Sequence, residues 1–397
     1  MMLVSVPPAD TGIVTSSNFY PCMRVSRCQL IIDFPTDGAG SIRVARSTWS
    51  RCGGDPLHCT WDRTVPDRGA NNVTEVDVAV TRQWFDGQGR PDVLSGGVRM
   101  VPVRTPLGEH RVWTKRVGNN PDVRLLLLHG GPGATHEYFE GFDSHLPGAG
   151  IEYYYYDQLG SAYSDQPAAP ELWQVDRFVD EVEQVRVALG LDSSNFYLLG
   201  QSWGAILAIE YALQHQEHLK GLVLSNMMSS IPAYNRYAEQ VLMPTMDQAA
   251  LAEIKALENS GQTADPRYEA LLMEHHYVQH VLRLPEQDWP EPVVRSFAHI
   301  NRAIYVPMQG PSELGASGLL AGWDRTGDLH RIEVPTLVIG AEHDTMDPAH
   351  LREMAARLPR GRYLHCPRGS HLAMYDDQET YMSGLIDFLV AGRPTAD

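Results

Sequence analysis

The pentapeptide GQSWG (200–204) sets Ser202 between two glycines. A serine hydroxyl attacks a carbonyl only when a base takes its proton and an acid orients that base. Flanking glycines suit a sharp strand-to-helix turn that lifts the hydroxyl clear of a sheet. Such a turn goes with the chain order serine, acid, histidine. Downstream, AEHDTMDP (341–348) offers Glu342, Asp344 and Asp347, and PRGSHLAMYDD (367–377) offers His371. Ser202, Asp344 and His371 therefore form a candidate nucleophile, orienting acid and base. Asp347 is the alternative acid, although its place before Pro348 equally suits a helix cap.

Acyl transfer through a serine creates an oxyanion, which needs preorganised N–H donors. The residue after the nucleophile, Trp203, supplies one backbone N–H. LLLLHGGPGATHEYF (125–139) suggests the other: four leucines deliver a glycine-rich loop, with Gly131 the expected donor.

Other residue patterns carry less chemistry. His276 and His280 stand at i, i+4 in EHHYVQH (274–280), a spacing that can hold a metal, but without a carboxylate at metalloprotease spacing. They read as helix residues, and no metal or cofactor is expected. Cys22, Cys28, Cys52, Cys59 and Cys366 do not match zinc-finger or zinc-ribbon spacings. Asn72-Val73-Thr74 fits a glycosylation sequon without a secretory context. A net charge of −17 argues against nucleic acid and anionic membrane surfaces as partners. No apolar run approaches the roughly 20 residues of a membrane span. The start MMLVSVPPADTGIVTSSN lacks the basic and apolar regions of a secretory signal, so a cytoplasmic location is expected.

These groups need elements to hold them. VRLLLLH (123–129), IEYYYYDQLG (151–160), NFYLLG (195–200), LKGLVLSN (219–226), VPTLVIG (334–340) and RYLHC (362–366) read as strands. DRFVDEVEQVRVALG (176–190) reads as an amphipathic helix stopped by Gly190, and WGAILAIEYALQH follows Ser202 as another. A last helix is expected over about 376–390. Strands alternating with helices imply an α/β fold, a mostly parallel sheet with helices on both faces. About 105 residues between the fourth and fifth of these strands read as helical and are too long for a loop. The expected organisation is a core in two parts (96–226 and 333–397) with a helical cap at 227–332. Residues 1–95 are rich in Gly, Pro, Ser, Thr and Arg, nearly charge-balanced and without periodicity. They read as a disordered leader or an extension from too early a start, with Met100 a plausible internal start.

His129-Gly130-Gly131-Pro132-Gly133, YYDQLGSAYSDQP (155–167), GQSWGA, NMMSSIP (226–232), MQGPSELGASGLLAGWD (308–324), GAEHDTMDP and GSHLAMYDD together resemble the proline iminopeptidases. That group of α/β-hydrolase-fold serine peptidases also contains tricorn-interacting aminopeptidases and amino-acid amidases. The resemblance covers about 97–392. It implies a triad of Ser202, Asp344 and His371, and oxyanion donors at Gly131 and Trp203. It further implies that Glu313, in a G-P-x-E stretch, binds the substrate's free amine. A carboxylate over the site pairs with an ammonium and excludes internal peptide positions. Tricorn-interacting relatives carry a second glutamate just after the catalytic aspartate, where this chain has Thr345. Glu137, Asp157 or Glu342 could compensate, and Tyr305 and Phe139 are candidate walls of the side-chain pocket.

The expected activity is removal of an N-terminal residue, preferably proline, from a peptide. The rivals are an amidase or esterase acting on small amino-acid amides such as prolinamide, and a non-catalytic binding protein of the same fold. The complete serine, aspartate and histidine set argues against the last.

Overall fold

The computed structural model describes residues 84–391. The expected leader up to residue 83 lies outside the described residues, as do the four N-terminal cysteines and the Asn72 sequon.

Eight strands form one sheet: β1 (Val98–Thr105), β2 (Gly108–Val117), β3 (Arg124–Leu128), β4 (Glu152–Asp157), β5 (Phe196–Gln201), β6 (Gly221–Ser225), β7 (Thr336–Ala341) and β8 (Gly361–Cys366). Their order is β1-β2-β4-β3-β5-β6-β7-β8. The pairs β1–β2 and β2–β4 are antiparallel, and every pairing from β4 through β3 to β8 is parallel. Side chains alternate across the sheet with period two. Leu126, Leu128, Tyr154 and Tyr156 enter one apolar cluster, and Leu125, Leu127, Tyr153 and Tyr155 enter the other. Both faces are therefore covered, which is why the strands read as unbroken apolar runs. Each fully buried leucine contributes about 2 kcal/mol.

The helices α1 (Val175–Leu189) and α2 (Trp203–His215) pack against each other on the first cluster's side. Gly190 ends α1 in the left-handed region. Between β6 and β7 come α3 (Ile231–Tyr237), α4 (Gln248–Asn259), α5 (Pro266–Leu272), α6 (Glu291–Ala298) and α7 (Arg302–Met308). Single π-turns, Ala238–Leu242 and Met273–Tyr277, extend α3 and α5. After β7 follow α8 (Pro348–Arg357) and, beyond β8, α9 (Gln378–Val390).

Residues 84–95 belong to the packed structure. Trp84 is buried, and its indole donates to the Ile151 carbonyl at 3.0 Å. Arg90 pairs with Glu152 at 2.8 Å, and Arg116 pairs with Asp92 at 2.8 Å. Polar composition hid this, because the charges are spent on mutual pairing rather than on solvent.

Candidate active site

Ser202 ends β5 with φ 55° and ψ −126°, a strained conformation at the start of α2. The turn is possible because its neighbours approach as backbone. A Cβ on Gly204 would meet the Leu128 carbonyl at 2.1 Å, and one on Gly200 would meet the Gly204 carbonyl at 2.0 Å. The Ser202 amide donates to the Ser225 carbonyl at 3.0 Å, which locks the turn to β6.

His371 lies after β8, and Asp344 after β7. The His371 Nδ1–H donates to Asp344 Oδ1 at 2.8 Å. Asn226 Nδ2 donates to the other carboxylate oxygen at 2.7 Å, and Asp344 is fully buried. Burial opposes the imidazolium of His371, but the charge and hydrogen bond of Asp344 and the nearby charge of Glu313 outweigh it, so its pKa lies above the ordinary histidine value. The backbone of His371 is held on both sides. Its amide donates to the His280 carbonyl at 3.0 Å, and its carbonyl accepts from Gln201 Nε2 at 3.0 Å. Asp347, the alternative acid, instead caps α8 through the Ala349 amide at 2.8 Å.

The loop after β3 brings Gly130 and Gly131 to the same cavity as Ser202 and His371. Gly131 has φ 107°, closed to most side chains. The amides of Gly131 and Trp203 have no hydrogen-bond partner among the described residues, so both are free to donate to a ligand. Tyr138 braces this loop. Its hydroxyl accepts from the Gly130 amide at 2.7 Å and donates to Gln201 Oε1 at 2.8 Å.

The cavity has a volume of about 310 Å³. Leu272, Tyr277, Val281 and Phe297 give it apolar walls, and Tyr305 and Glu313 add a polar corner. The Tyr305 hydroxyl donates to Glu313 Oε1 at 2.5 Å. Burial raises the Glu313 carboxyl above its ordinary pKa, although His371 and Tyr305 partly oppose the shift. Among the described residues no lysine or arginine pairs with it. The Glu313 carbonyl is held by the Tyr234 hydroxyl at 2.7 Å and faces His276 Nε2 at 3.2 Å.

Two expected substrate contacts are corrected. Phe139 is fully buried against Tyr138 and Phe142 and does not line the cavity. The carboxylate of Glu137 is consumed by Arg295 at 2.9 Å, His299 at 2.9 Å and Thr135 at 2.8 Å. Burial works against its charge, but these partners hold its pKa low. Both side chains lie off the cavity because they belong to the 3₁₀ segment His136–Ser144, which follows the loop that carries Gly131. The other compensating acids are also elsewhere: Asp157 bonds His136 at 2.8 Å, and Glu342 is exposed beside His365. Thr345 is buried, with its hydroxyl 3.3 Å from both Asp344 and His371 Nδ1.

Sequence reasoning passed over Asn226, Gln201 and Tyr138, and read His276 and His280 only as helix residues, although all five hold the site. It also passed over Arg302 and Glu269, exposed charges on the cavity wall. For Gln201 and Asn226 a signal existed, since each sits at a strand end beside an identified motif.

Residues 123–378 match the family described as alpha/beta hydrolase fold. The chain is 53% identical over 290 residues to a proline iminopeptidase of Flavobacterium johnsoniae, covering 73% of this chain and 97% of the relative. It is 54% identical over 292 residues to one of Elizabethkingia meningoseptica, with the same coverage. A solved proline iminopeptidase of Mycobacterium smegmatis superposes with a TM-score of 0.63 at 29% identity, covering 74% of this chain and 98% of that one. With more than half of the aligned residues identical to relatives matched over nearly their whole length, this chain belongs to the proline iminopeptidase family of α/β hydrolases.

Proposed function

We propose that this chain is a serine aminopeptidase that releases an N-terminal residue, preferably proline, from peptides. The observation that carries the reading is Glu313: a desolvated carboxylate, unpaired by lysine or arginine among the described residues, on the wall of the cavity that holds Ser202. Such a group favours an ammonium ligand, because pairing relieves the cost of burying its charge. The apolar walls beside it suit a proline ring, and residues 227–332 serve as the cap that supplies them.

The chemistry of this reading is acyl transfer through a serine. Ser202 Oγ attacks the first peptide carbonyl as His371 Nε2 takes its proton. Asp344 holds the imidazole in the tautomer that leaves Nε2 free and stabilises the imidazolium. The Gly131 and Trp203 amides receive the oxyanion. On collapse, His371 protonates the leaving amine and the shortened peptide departs. Water, deprotonated by His371, then hydrolyses the acyl-enzyme and frees the amino acid.

The test is hydrolysis of proline β-naphthylamide, with prolinamide and p-nitrophenyl esters beside it. Ser202→Ala should lower kcat about a million-fold. Retained turnover would sink the assignment, and a wild-type preference for esters would favour the esterase rival.

A further inference from the structure

The reaction above uses one charge in the cavity, but the lining carries another of opposite sign. Arg302 opens α7 and lines the cavity with Ser202, His371 and Glu313. It is exposed and makes no hydrogen bond or ion pair among the described residues. Arg295 on the neighbouring helix is the contrast, bound by Glu137, Glu140 and Glu291. Glu269, the other exposed charge of the lining, makes no ion pair with Arg302. Arg302 acts electrostatically on Tyr268, another wall residue.

Its position along α7 gives it a direction. Arg302 and Tyr305 are three residues apart and share a helix face, displaced by about 5 Å along the axis. Tyr305 is buried and tied to Glu313, at the amine end of a bound substrate. Arg302 is exposed, at the solvent-facing end of that helix face. An extended dipeptide spans about 7 Å from amine to carboxylate. A guanidinium on a flexible stem one turn beyond Tyr305 reaches that far, and its forked donors match a carboxylate.

We propose that Arg302 is a specificity-determining residue that binds a carboxylate on the leaving side of the scissile bond, so that prolyl dipeptides are favoured over blocked or long chains. This rests on the aminopeptidase reading. The carboxylate could be a C-terminus or an aspartate side chain, and the substrates below separate the two.

The experiment compares kcat/KM for Pro-Ala, Pro-Ala-NH2 and Pro-Asp-NH2 on the full chain, wild type and Arg302→Gln. Wild type should prefer Pro-Ala over its amide by about tenfold, the equivalent of about 1.4 kcal/mol. Most of the difference should sit in KM. Arg302→Gln should bring the ratio close to one, and Arg302→Lys should restore part of it. Pro-Asp-NH2 matching Pro-Ala would support recognition of any leaving-side carboxylate, and matching the amide would support recognition of the C-terminus. No wild-type preference, or a preference unchanged in Arg302→Gln, overturns the inference while leaving the aminopeptidase intact. Failure of all three substrates overturns the aminopeptidase reading itself.

Discussion

His371 sets the expected pH behaviour. His371 must be neutral to accept the serine proton, and its pKa is raised, so the imidazolium persists above the ordinary value of about 6.5. Activity should therefore rise with pH through that higher value, and a kcat/KM profile with an acid limb at or below 6.5 would contradict it. Glu313, as proposed, acts in binding the substrate's amine. Replacing it with glutamine should raise KM for free-amine substrates by about 30-fold, from about 2 kcal/mol of lost pairing. N-blocked analogues should change little, and an equal effect on both would remove its role. Ser202, Asp344 and His371 stand out in the sequence because each sits in a short string that carries its own structural context. Glu137 and Phe139 were misread because proximity to Gly131 along the chain says nothing of side-chain direction. The partners of Glu137 stand 158 and 162 residues later, where no local pattern announces them.

Elements were read well where burial was complete. The five strands from β3 to β7 are largely apolar because both faces are covered, whereas β8, at the sheet edge, is only partly buried. The hairpin of β1 and β2 escaped notice because β1 alternates exposed and buried residues and carries Pro102, and because β2 is rich in charge. The helices after β6 were legible as helices, but not the π-turns that bend them. One connection between elements is open to measurement. Tyr138 ties the loop after β3 to the end of β5 through two hydrogen bonds. Tyr138→Phe would leave the Gly130 amide buried without its partner, at a cost of about 1–3 kcal/mol. Thermal unfolding should register this, and kcat should fall more than KM rises if, as proposed, the loop positions an oxyanion donor. An unchanged kcat would make the tyrosine purely a packing residue.

At the scale of the whole molecule, residues 84–95, ahead of β1, are part of the fold. A Cβ on Gly118 would lie 2.4 Å from the Trp84 ring, so the indole occupies space that any other residue there would fill. Trp84→Ala should destabilise the protein by about 3 kcal/mol, read by denaturant unfolding. A loss under 1 kcal/mol would mean the segment merely rests on the surface. The pairing of Glu137 with Arg295 and His299 has a different consequence. Swinging α6 outward would strand a buried carboxylate six positions beyond Gly131, a penalty of several kcal/mol. The helix that lines the cavity beside Ser202 thus has good reason to stay in place. Substrates must then enter by threading through a standing doorway, so free chain ends are admitted and the loops of folded proteins stay outside.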